Sequence, residues 1–76
     1  MEAKTTQYLI NERILAIKTL EMFERLESNL KPGERINEKT RWAEKSYLID
    51  IERELMKRGE NITPTRFTAH HFPKEL

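Results

Sequence analysis

The side chains with the chemistry for metal binding or catalysis are a neighbouring pair, His70 and His71, two serines, Ser28 and Ser46, and 13 carboxylates spread along the chain. Adjacent residues on a helix point about 100° apart and no Cys is present, so a metal site at the histidines would need ligands from a second chain. Neither serine sits in a nucleophile motif, and the carboxylates fall at positions read as exposed helix surface. Lys31-Pro32-Gly33-Glu34-Arg35 holds a single Gly, whereas a loop that cradles phosphate needs several to bring backbone amides close. The expectation is a non-enzymatic protein with no catalytic residue, no metal and no cofactor.

Binding chemistry is better represented. Lys57, Arg58, Arg66, His70, His71 and Lys74 gather toward the C-terminus with Glu60 and Glu75 as acidic company, a candidate nucleic-acid or partner contact able to approach phosphates. Arg66 would fall in the first turn of a helix starting near Thr63, where the helix dipole disfavours a cation, and a residue placed against local preference points to a contact elsewhere. Trp42 is the side chain best suited to anchor an interface, because Trp offers a large contact area. It recurs with Ile49 and Met56 at i, i+7 and i+14, and Ile10, Ile14 and Ile17 form a comparable row earlier in the chain. These two rows are the expected partner-binding or oligomer surfaces.

Helices must position all of these residues. Leu9, Ala16, Leu20, Phe23, Leu26 and Leu30 recur at three-, four- and seven-residue steps and share one face of a helix predicted over 6–30, while Tyr47, Leu48, Ile51 and Leu55 do the same for a helix over 38–58. Phe23, Leu26, Leu48, Ile51 and Leu55 are the expected core. Thr5 or Thr6 caps the first helix and Asn37 the second, with Glu38 at the positive end of its dipole. Pro32 and Gly33 make a turn over 31–37, and Lys57, Arg58 and Gly59 read as a C-terminus. At about 37 and 31 Å the two helices can lie antiparallel along most of their lengths. Glu21 with Arg25, Glu38 with Arg41, Asp50 with Arg53 and Glu54 with Arg58 stand one turn apart as surface ion pairs.

Beyond Gly59 the pattern changes. Thr63 and Pro64 read as the cap and first position of a short helix, or else a docked tail, over 63–72, with Phe67 and Phe72 placed to cover the open end of the hairpin. Leu55 to Phe72, with its helix end, Gly59, the Ile62-Thr63-Pro64-Thr65 turn and Arg66-Phe67-Thr68-Ala69, resembles the first half of a bacterial helix-turn-helix unit over about 18 residues. Pro73, Lys74, Glu75 and Leu76 follow it and do not build the recognition helix that would enter a major groove.

The 76 residues read as one all-α domain, 1–76, too small to bury a comfortable core without disulfides, metal or oligomerisation. With no Cys, and with more apolar stripe than one hairpin covers, the expected assembly is a dimer forming a four-helix bundle. Charged residues make up 36% and hydrophobic ones 37%, with two Gly and three Pro, a composition that favours helix over a disordered chain. The net charge of +1 selects no partner: up to Glu38 there are six basic and seven acidic residues, and after it eight and six. No run approaches the ~18 apolar residues of a membrane span and no leader pattern opens the chain, so a soluble, cytoplasmic protein is expected. Its expected role is that of a small regulatory or adaptor protein that self-associates and binds another protein through helical faces. The alternative is a nucleic-acid-binding regulator in which a dimer holds two basic C-terminal segments at fixed spacing.

Overall fold

Thr5 starts the first helix. It lies in extended backbone and its hydroxyl accepts the amide of Tyr8 at 3.0 Å, satisfying one of the donors that a helix start leaves open. In the computed structural model, which describes residues 3–34 and 37–72, the chain forms two helices, α1 (Thr6–Ser28) and α2 (Glu38–Lys57), with no strand among the described residues. α1 stops two residues short of the expected Leu30. Ser28 Oγ and Asn29 Nδ2 both donate to the carbonyl of Arg25, at 2.8 and 3.0 Å, and short polar side chains that bond nearby backbone in this way end a helix. The reversal turns through Gly33, at φ +93°, and Asn37 caps α2 by accepting the amides of Lys39 and Thr40. α2 ends at Lys57, one residue before the expected Arg58, with Gly59 at φ +83°. There the Glu60 amide donates to Leu55 and the Gly59 amide to Met56, the paired bonds that close a helix through a left-handed glycine.

The helices pack antiparallel. Leu9 of α1 is buried with Ile51 and Leu55 of α2, and two turns on Ala16 and Leu20 are buried with Leu48. Near the turn Arg41 reaches back to Glu27 in an ion pair that replaces the expected link to Glu38. Asp50 with Arg53 and Glu54 with Arg58 form as the spacing predicts. One expected core residue is displaced: Leu26 lies half exposed on the outside of α1, because the packed face runs through Ala16, Leu20 and Phe23, about 60° or more around the helix from it.

Residues 60–72 form a strap that runs back along the groove between the helices. Ile62 packs on the Leu9 cluster and Phe67 on the Ala16 cluster, so Ile62, not Phe67, sits at the open end of the hairpin. The strap contains successive turns over 66–71 in place of the expected short helix. Arg13 takes the carbonyl of Thr63, the first acceptor such a helix would use, at 2.7 Å. A segment this short has no helical stability of its own to set against that bond.

Candidate interaction surfaces

The best-defined polar constellation lies under the strap. Glu52 is wholly buried, contrary to the expectation that the carboxylates line exposed surface. Arg13 Nε donates to Glu52 Oε2 at 2.9 Å, and the Thr68 hydroxyl donates to Oε1. With its proton committed there, the Thr68 oxygen accepts from the Thr65 hydroxyl at 3.3 Å. One carboxylate thus ties α1, α2 and the strap together. Among the described residues no buried side-chain polar atom lacks a partner, so the cluster reads as a structural clasp. Its residues were legible only as a hydroxyl, an arginine and a glutamate far apart in sequence.

The two expected apolar rows fare differently. Trp42 is 62% exposed and lines a shallow depression with Glu38, Arg41 and Lys45. Ile49, expected beside it, is 8% exposed and belongs to the core. Glu52 and Arg53, three and four residues on, hold the strap through Thr68 and His71, so the strap lies over the face that Ile49 shares with them. Met56, one turn beyond Glu52, is half-buried. In the other row Ile10 and Ile17 pack on the edges of the two core clusters, and Ile14 stays exposed. Neither row is therefore a continuous outward surface. Its physical cause is the strap, which widens the buried arc of both helices beyond what a bare hairpin would cover.

A row not expected from the sequence replaces them. Tyr8, Leu15 and Met22 stand seven residues apart with Leu26 one turn further, and they are 40%, 56%, 42% and 49% exposed. At about 100° per residue all four fall within an arc of roughly 40° on α1. The heptad signal was present in the sequence but was hidden by the broader core stripe. At its start the Lys4 ammonium sits 5.1 Å from the centre of the Tyr8 ring, and Tyr47 donates to Glu12, one turn beyond Tyr8, at 2.7 Å. That bond to the Glu12 carboxylate, with burial adding to it, pushes the Tyr47 hydroxyl well above its ordinary value of 10.0.

The basic C-terminal residues are largely engaged within the chain. Arg66 pairs with Glu24 of α1 and its guanidinium stacks 4.4 Å from the centre of the Phe67 ring. No helix begins at Thr63, so no helix dipole opposes Arg66, and Glu24 is the contact that its position serves. Arg53 donates to His71 Nε2 at 2.7 Å, with the ring of Phe72 edge-on to His71. Arg58 donates to Glu54 at 2.9 Å and to the Thr6 hydroxyl at 3.1 Å. The bond from Arg58 holds the Glu54 carboxyl below the usual carboxylate range, against desolvation, which acts the other way. Lys57 and His70 are exposed, and Lys74 lies outside the described residues. Among the described residues no three metal-type side chains come together, and no helix is long and apolar enough to cross a membrane. Comparison with protein-family models, curated proteins and solved structures finds no match.

Proposed function

We propose that this chain is a non-enzymatic binding protein, a small regulatory or adaptor module that self-associates and engages another protein through its helical faces. The observation that carries this reading is the number of large apolar side chains left in water: Trp42 at the turn end, Ile14, and the row from Tyr8 to Leu26. Apolar surface of this kind on a small protein marks an interaction site. A dimer with the four helices bundled, in the cytoplasm, is the assembly and setting this reading favours. Affinity capture from the native host, run side by side with the wild-type and Trp42→Ala chains, tests it. Protein partners that disappear with Trp42→Ala support the reading. Capture of nucleic acid, with an electrophoretic shift at low salt that vanishes as salt rises, replaces it with the alternative in which the basic C-terminal segment contacts phosphates. A chain that is monomeric at every concentration and loses nothing with Trp42→Ala contradicts it.

A further inference from the structure

The hairpin is a single layer of two helices, and the strap adds a second layer on one side only. The extents of 44 × 31 × 17 Å and the Cα radius of gyration of 14.0 Å describe a slab; a compact chain of this length has a radius of about 11 Å. Surface area leads the same way. The chain exposes 5893 Å², roughly 1,000 Å² more than a folded monomer of its mass exposes. Arg13 marks the strap side of α1 through its bonds to Glu52 and Thr63. Tyr8 lies about 140° around the helix from it, so the row Tyr8, Leu15, Met22 and Leu26 occupies the uncovered side.

We infer that a second copy of this chain covers that row, α1 against α1 across a two-fold axis. A row repeated at seven-residue spacing along about 27 Å of helix suits another helix crossing at a shallow angle, and a two-fold axis matches the row with itself. The excess of roughly 1,000 Å² per chain is on the scale of the about 800 Å² that each partner of a specific, stable interface buries. A net charge of +1 per chain leaves little repulsion between copies. The inference rests on the self-association proposed above and adds its face: the outward row of α1 is dry in the dimer, and Trp42 remains in water.

Sedimentation equilibrium of the full chain, with four variants, tests it. The wild type is expected at twice the monomer mass. Leu15→Glu and Met22→Lys halve that mass and leave the helical circular dichroism unchanged, because both positions already face water in the single chain. Ile14→Glu and Trp42→Ala stay dimeric. A dimer that survives both Leu15→Glu and Met22→Lys shows that self-association is real and that this face is wrong, whereas a wild type that is monomeric from micromolar to millimolar concentration removes both claims. Cross-linking of mixed isotope-labelled wild-type chains locates the interface without a variant. Links between copies at Lys18, which flanks the row, support the inference, and links confined to Lys45, beside Trp42, overturn it.

Discussion

A carboxylate taken fully out of water is held by the donors that reach it, and for Glu52 these are Arg13 and Thr68. Removing either donor leaves charge or lone pairs uncompensated in the interior. Arg13→Ala is expected to destabilise the fold by about 3 kcal/mol, at the low end for a broken buried pair because Arg13 itself touches solvent. Thr68→Val keeps the shape and loses the hydroxyl, costing about 1–2 kcal/mol. Urea unfolding monitored by circular dichroism measures both, and a double-mutant cycle reports how far the two donors act as one unit. Nothing local in the sequence marks Glu52 as buried: its helix face is covered by Thr68, 16 residues further on, in a segment without periodicity.

Tyr47 adds a dependence on alkaline pH. Its folded-state value lies above the ordinary 10.0, because the hydroxyl donates to a carboxylate that an ionised tyrosine would repel. Below the unfolded value the contribution to stability is complete. As pH rises past it the unfolded chain releases the proton while the folded chain keeps it, so stability falls. Chemical denaturation between about pH 9 and 11 should show this decline in the wild type. In Tyr47→Phe the decline is shallower.

At the scale of the element, helix ends were the most legible features. Thr5 and Asn37 announce helix starts by their hydrogen-bonding chemistry, and Gly59 announces a stop because its φ of +83° is one that other residues adopt at a cost. A Cβ at Gly59 would meet no atom within 4 Å. Gly59→Ala therefore costs only the backbone strain, about 1 kcal/mol, and a thermal melt should register it without loss of helix at lower temperature. The strap was not legible in the same way. Thr63-Pro64 looks like a helix start when read locally, but Arg13, 50 residues earlier, claims the Thr63 carbonyl. A long-range bond decided the local conformation.

For the whole molecule, the sequence made plain that the apolar residues outnumber the places one hairpin can bury them. Which ones stay outside depended on how wide a stripe each helix buries, and an isolated helical wheel does not contain that width. Ile10, Ile17 and Ile49 went inward with the strap, while Tyr8, Leu15, Met22 and Leu26 stayed out. If the dimer forms as inferred, folding and association are linked by mass action, and the melting temperature should climb with protein concentration. Calorimetry over a hundredfold dilution series measures that climb, and Leu15→Glu should abolish it.

The strap also sets an order of events in time. Its groove exists only after α1 and α2 have met, and its anchors reach both helices, Thr63 and Arg66 to Arg13 and Glu24 of α1, Thr68 and His71 to Glu52 and Arg53 of α2. The hairpin is expected to close first and the strap to seat afterward, since the entropy of bringing distant segments together is recovered only once the surface that receives them is built. The last part to seat is the easiest to lift. Amide hydrogens of Ala69 and Phe72, bonded only within the strap's own turns, are expected to exchange through small openings that leave the amides around Leu48 and Ile51 protected. Lifting the whole strap would uncover Glu52, which Thr68 covers, so exchange at the strap amides is expected to precede exposure of the buried carboxylate.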